Sequence, residues 1–184
     1  MDLRGWVPAT AGNISVRLPD GRLAITRSGT HKGLLTPGDV IVVDPVGRNS
    51  SPGARPSAET GLHCQIYRLF TAAGAVLHGH SVPGTVLSMA LECSAITFAG
   101  YELLKAFEGQ PTHDASVSLP VFDNDQDIPR LAAQVEPHVA ACKLGYLIRG
   151  HGIYVWGPDM DAALARLEAL EFLLACELER RKLR

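Results

Sequence analysis

Three histidines in this chain have the neighbours that metal chemistry needs. His78 and His80 lie one residue apart in GAVLHGHSVPG, at the end of an apolar run. In an extended strand, residues i and i+2 project to the same face. The two imidazoles can therefore address one ion, with Gly79 between them taking no space on the opposite face. An open catalytic metal site takes about three protein ligands and leaves a position for substrate. His151 is the best candidate for the third. It stands in RGHGI between two glycines, at a turn that can bring the backbone close to another element. The other histidines lack such a setting. His63 and His138 fall on expected helices and His113 in a loop, where surface or packing roles are favoured.

A polarising metal needs a proton acceptor beside it. Glu59, which begins a helix next to Ser57, and Glu102, in GYELLK, are the two candidates, and spacing alone does not separate them. Each could equally serve only the dipole at a helix start. Three short stretches combine glycine or serine with backbone N–H groups that can hold an anion: TAGNIS (10–15), SGTHKG (28–33) and RPSAE (55–59). Lys32 in the second adds a point charge. None is a Walker A loop or a G-x-G-x-x-G fingerprint, so nucleotide binding is disfavoured. Each could equally be a plain turn, but three together in a chain with a candidate metal site point to a small phosphorylated metabolite.

The elements that must position these residues follow from patterning. NISVRL and RLAIT flank the turn PDG, so residues 13–26 read as a β-hairpin, and DVIVVD (39–44) as a further strand. A polar loop over 48–57 ends in Ser57 as an N-cap. The helix after it carries Leu62, Ile66, Leu69 and Phe70 at helical spacing and closes at Gly74. AVLHGH follows as a strand. Two short helices are expected at 82–91 and 100–107, a strand at SVSLPVF and an amphipathic helix over 126–143. GYLIRGHGIYVWG reads as strand, tight turn, strand. A long helix over about 159–183, capped by Asp159, repeats leucine at 164, 167, 170, 174 and 178. This is an α/β layered domain.

Bulk properties bound the function. At 184 residues and a net charge of −2, one domain is expected, with no basic block before the last few residues. Nucleic acid is not an expected partner, because counterion release needs clustered cations. The terminal ERRKLR suits a solvated helix end. Cys64, Cys93, Cys142 and Cys176 form no C-x-x-C pair, so neither a zinc ribbon nor a disulfide scaffold is expected. With no leader and no run of about 18 apolar residues, a cytoplasmic protein without membrane attachment is expected.

In their order and spacing, GNIS, SGTHKG, PSAE, HGH and RGHGIYVWG resemble the class II aldolase/adducin family over nearly the whole chain. The resemblance implies an α/β/α layered fold around a mainly antiparallel sheet, and one zinc ion per subunit held by His78, His80 and His151. Glu102 matches the acid/base glutamate of the family's dehydratases, and Glu59 falls where its aldolases keep their catalytic glutamate. Asn13, Ser28, Gly29 and Ser57 match phosphate-binding positions. The resemblance further implies a homotetramer with active sites at subunit interfaces. GWVPATAGN, SAETGLHCQIYRLF, GYELLKAF, DNDQDI and LEFLLACELERRKLR stand nearest to dehydratases of a phosphorylated ketose. A sugar-phosphate aldolase or 4-epimerase, and a non-catalytic adducin-like interaction domain, are the alternatives. Two departures stand out. Only four residues precede Gly5, where the family usually has a helix, and Gly79 replaces the threonine common between the metal histidines.

Overall fold

The computed structural model describes residues 1–49, 53–142 and 144–183. Residues 50–52 of the expected polar loop, Lys143 at the end of the helix expected over 126–143, and Arg184 lie outside the described residues. Among the described residues, eight strands form one sheet: β1 (Asn13–Arg17), β2 (Leu23–Thr26), β3 (Val40–Val43), β4 (Ala75–Gly79), β5 (Ala95–Ala99), β6 (Ser116–Phe122), β7 (Tyr146–Ile148) and β8 (Gly152–Gly157). Their order across the sheet is β3-β2-β1-β4-β8-β7-β6-β5. Only β6 and β7 run parallel; every other neighbouring pair is antiparallel.

Four helices cover the two faces: α1 (Thr60–Leu69), α2 (Val82–Ala90), α3 (Ile128–Val139) and α4 (Met160–Lys182). Strand alternation assigns each face its partners. Leu77, Leu147 and Val155 point to Leu87 of α2 and to Leu167, Leu170 and Leu174 of α4. Val76, Tyr146 and Trp156 point the other way, to Leu62 and Ile66 of α1 and Leu131 and Val135 of α3. A fully buried Leu or Ile contributes about 1.5–3 kcal/mol, so both interfaces hold the central strands β4 and β8 firmly. The expected α/β/α layering is what forms.

The helix ends follow local chemistry. Asp159 caps α4 by accepting from the Ala162 amide at 2.8 Å, and Asp127 caps α3 by accepting from the Arg130 amide at 3.0 Å. Elsewhere the elements depart from expectation. Ser57 does not cap α1: Glu59 occupies the N-cap position, and the helix ends at Leu69, before Gly74. Residues 100–107 carry only a short 3-10 turn, Glu102–Ala106, in place of a helix. Strand β5 has no counterpart among the expected elements, although Ile96 and Phe98 alternate inward as a half-buried strand should.

Gly79 is not a slack point in β4. A Cβ there would meet the Trp6 carbonyl oxygen at 3.2 Å and the Met1 methyl at 3.3 Å, because the N-terminal segment lies over that face. The His80 amide donates to the same Trp6 carbonyl at 2.7 Å, so the segment also holds the strand end. Gly152 is tighter still: a Cβ would stand 2.3 Å from the Gly79 carbonyl oxygen and 2.8 Å from His78 Cε1. Gly152→Ala is expected to cost about 1–3 kcal/mol through overpacking and to lower the thermal midpoint by several degrees. An unchanged midpoint in a scanning-calorimetry comparison would contradict this packing.

Candidate metal centre

Strand register brings the first pieces together. Asn13 of β1, His78 of β4 and Tyr154 of β8 stand side by side in one row across the sheet. Tyr154 stacks on the His78 ring, with centroids 4.0 Å apart. The His78 Nδ1–H donates to the Ile153 carbonyl at 3.0 Å, since a carbonyl can only accept. That fixes the tautomer and turns a bare Nε2 lone pair into the site. His80 lies just past the strand end, not within it, and its ring centroid is 4.5 Å from that of His78.

His151 arrives on the turn between β7 and β8. Its ring is 5.1 Å from His78 and 4.7 Å from His80 between centroids. The turn is held by its neighbours. Arg149 donates to the carbonyls of Ser88, Leu91 and Cys93, and the Gly150 amide donates to Ser88 Oγ at 3.0 Å. Gly150 takes φ +62, a left-handed conformation that glycine adopts without strain. Nδ1 of His151 lies 3.3 Å from Asn124 Oδ1, an outer contact that orients the ring.

Glu59, at the start of α1, closes the cluster. Its Oε1 is 2.8 Å from His151 Nε2, and its Oε2 is 3.3 Å from His78 Nε2. One ligand atom from each of Glu59, His78, His80 and His151 lies within 4.8 Å of the others. Burial works to raise the Glu59 pKa, but the hydrogen bonds that its oxygens accept from His151 Nε2 and Asn13 Nδ2 favour the ionised form and help hold the carboxyl well below the ordinary range. Burial also keeps His78 and His80 neutral, pushing them down to about 3 and about 4.

These residues fit a metal ion on their own geometry. His78 Nε2 is fully buried and has no hydrogen-bond partner. With the proton on Nδ1, it faces a carboxylate oxygen lone pair to lone pair. A buried unsatisfied acceptor costs about 1–3 kcal/mol, and a cation between the two satisfies both. Three imidazoles and one carboxylate make an N3O donor set suited to zinc and its neighbours.

The anion cradles converge on the same place. A cavity of about 490 Å³ is lined by residues 10–13, 27–29 and 57–59, together with Lys32, His80 and His151. Asn13, Ser28, Gly29, Lys32 and Ser57 are all on its wall. Asn13 Nδ2 donates to Ser57 Oγ at 3.0 Å and to Glu59 Oε2 at 2.6 Å. Lys32 Nζ donates to the carbonyls of Thr10 and Thr30, tying two cradles together. Arg27, Asn124, Asp125 and Gln126 also line the cavity. Sequence reasoning did not single them out, although DNDQDI carries three of the four.

Glu102 lies elsewhere. Its side chain is 72% exposed and pairs with Lys105 Nζ at 2.5 Å, which holds the carboxyl below its ordinary pKa. It lines a separate surface pocket with Tyr101 and Phe172. His113 and His138 are exposed, while His63 is fully buried beside Asn13.

The comparisons with known proteins agree with this geometry. The class II aldolase and adducin N-terminal domain matches residues 1–178. A methylthioribulose-1-phosphate dehydratase of Gluconacetobacter diazotrophicus is 66% identical over 99% of this chain and 89% of its own length. One from Gluconobacter oxydans is 67% identical over 98% of this chain and 86% of its own. Among solved structures, an L-fuculose-1-phosphate aldolase from Thermus thermophilus has a TM-score of 0.78 at 26% identity, covering 98% of this chain and 88% of that one.

Two outcomes are expected. His78→Ala loses bound divalent metal while His113→Ala keeps it, as elemental analysis of the purified proteins would show; full metal in the His78 variant would refute the ligand assignment. The second concerns pH. His63, His78 and His80, pushed down by burial to about 4, 3 and 4 from 6.5, each take up a proton on unfolding. Glu171, pushed up by burial to about 7 from 4.5, releases one. Between roughly pH 5 and 6 the unfolded chain thus binds about two more protons on balance, so stability falls as pH falls. The thermal midpoint of metal-stripped protein should drop from pH 7 to pH 5; a rise would contradict these environments.

Proposed function

The chain belongs to the class II aldolase and adducin family, and we propose that it dehydrates 5-methylthioribulose 1-phosphate to 2,3-diketo-5-methylthiopentyl 1-phosphate, a step of methionine salvage. The observation that carries this reading is a cluster of His78, His80, His151 and Glu59 able to hold a metal ion, which opens through Glu59, His80 and His151 onto a cavity lined by all three candidate anion cradles. Relatives at 66% and 67% identity bear the name of that dehydratase. Zinc is the proposed ion, and when bound it supplies Lewis-acid polarisation of the substrate carbonyl.

The chain's own groups bind and move protons. Ser57 Oγ accepts from Asn13 Nδ2 at 3.0 Å and from the Glu59 amide at 3.4 Å. Its own O–H is then directed to a further acceptor, and a phosphate oxygen in the cavity is the one proposed. Ser28, Gly29 and the ammonium of Lys32 hold the remaining phosphate oxygens. Anchoring the non-reacting end in this way orients C3 and C4 over the metal centre.

A carboxylate then removes the proton from C3. The hydroxyl on C4 leaves as water, taking a proton from the carboxyl group so formed, and the resulting enol ketonises to the 2,3-diketone. Glu102 is the proposed acid/base. Because it is exposed and outside its own chain's cavity, it acts in the cavity of a neighbouring copy, within the proposed homotetramer. Glu59 stays with the histidines as the fourth metal-facing group and as a proton acceptor held ionised beside them.

A sugar-phosphate aldolase is the second reading, favoured by Glu59 standing inside the cluster. It would release dihydroxyacetone phosphate in place of the diketone. The assembled cluster of three histidines and Glu59 speaks against a purely structural adducin-like role. No helix among the described residues is long and apolar enough to cross a membrane. The four cysteines are free, which supports the cytoplasm as the working compartment.

The reading is tested by product analysis with the purified, metal-loaded protein. Diketone formation is expected; dihydroxyacetone phosphate with no diketone would assign the aldolase. Glu102→Gln should keep its metal and lose about 100-fold or more in turnover. Mixed oligomers of Glu102→Gln with His78→Ala copies should regain activity if the glutamate crosses between copies. No recovery in mixtures proven to exchange subunits would refute the crossing, and undiminished turnover of Glu102→Gln would place Glu102 outside the reaction.

A further inference from the structure

A line of buried polar groups runs from Glu59 and Asn13 on the cavity wall back into the interior, behind the candidate metal ligands. Glu59, His63 and Tyr67 recur every four residues at the start and along α1, on one helix face. Asn13 and Ser15, two residues apart on β1, face them from the sheet. Asn13, Ser15 and His63 are each at most 2% exposed. Ser15 Oγ lies 3.0 Å from Tyr67 OH and 2.7 Å from His63 Nδ1, and His63 Nε2 hydrogen-bonds Asn13 Oδ1.

Every donor and acceptor in this line is determined. Asn13 must turn its NH2 to Glu59 Oε2 and Ser57 Oγ, because the carboxylate only accepts. Its Oδ1 therefore faces His63, and an amide oxygen only accepts, so His63 carries its proton on Nε2. Nδ1 is then bare and accepts from the Ser15 hydroxyl, which in turn accepts from Tyr67. Reversing any member would set two acceptors against each other in a dry interior, where an unmade hydrogen bond is expensive.

We propose that His63 is a positioning residue: through the Asn13 carboxamide it fixes the orientation of Glu59 and Ser57, and so couples the metal centre to the phosphate cradle. The proposal rests on reading this cavity as the substrate site. Without the Nε2–H, the Asn13 amide loses the contact that holds its oxygen inward and can rotate. Rotation would place Oδ1 against the Glu59 carboxylate and remove the donor that leaves the Ser57 hydroxyl proton pointing outward. His63 itself reaches neither substrate nor metal. Tyr154, edge-on at 5.8 Å between ring centroids, limits how far the imidazole can tilt.

The test separates donation from packing. His63→Gln keeps an N–H donor near the Nε2 position, whereas His63→Leu keeps volume and removes the donor. With metal content measured for both, His63→Leu is expected to lose about 30-fold in kcat, the scale of a small misplacement of reacting groups. His63→Gln should recover most of that loss. Equal impairment of the two, or a His63→Leu variant that is folded, metal-loaded and undiminished, would overturn the proposal. A second readout does not depend on the substrate or on a folded variant. In 15N-histidine-labelled wild-type protein at neutral pH, the His63 ring should be the Nε2–H tautomer. An Nδ1–H tautomer, or a charged ring, would overturn the proposal. Wild-type protein that fails to turn over the proposed substrate would count against the dehydratase, leaving the tautomer to decide the donation.

Discussion

The whole site depends on one unfavourable contact. His78 Nε2 and Glu59 Oε2 stand 3.3 Å apart, both acceptors, with the imidazole proton committed to the Ile153 carbonyl on the other side. The fold does not relieve this by moving the groups apart. Stacking on Tyr154 and the β4–β8 ladder hold the imidazole; the start of α1 and the Asn13 amide hold the carboxylate. Two acceptors fixed face to face in a buried place are a site prepared for a cation. His80 and His151 supply the remaining lone pairs.

Rigid elements then do the positioning. The row Asn13–His78–Tyr154 crosses three neighbouring strands, so a residue of the proposed phosphate cradle, the candidate metal ligand and its stacking partner share one sheet surface. His151 alone comes from a turn, and that turn is anchored by Arg149 to the carbonyls that follow α2. Glycine is used where backbone must come close: Gly152 brings β8 against His78, and Gly79 makes room for the Trp6 segment. The N-terminal residues therefore press on the strand end that presents His80.

Much of this was legible in the amino-acid pattern. The i, i+2 spacing of His78 and His80, the Gly-flanked His151 and the three cradle segments all meet in one cavity, because local spacing and turn chemistry are short-range properties. What was not legible depends on which segments meet. His63 carries no local sign of its partners, since Asn13 and Ser15 are some 50 residues away, and it reads as an ordinary packing histidine. Strand β5 exists because β6 offers it an edge, and the Ser57 oxygen meets Asn13, a residue of a strand far away in sequence. The pairing of Glu59 with the histidines, and the outward placement of Glu102, are likewise tertiary facts that no spacing contains.

The central claim is that a cation belongs between His78, His80, His151 and Glu59. X-ray diffraction from crystals of the purified protein, collected on either side of the zinc absorption edge, tests it most directly. The account predicts one anomalous peak per chain, about 2.0–2.1 Å from a nitrogen of each of the three histidines. An empty cluster after incubation with excess zinc, with His78 Nε2 hydrogen-bonded directly to a protonated Glu59, would contradict it.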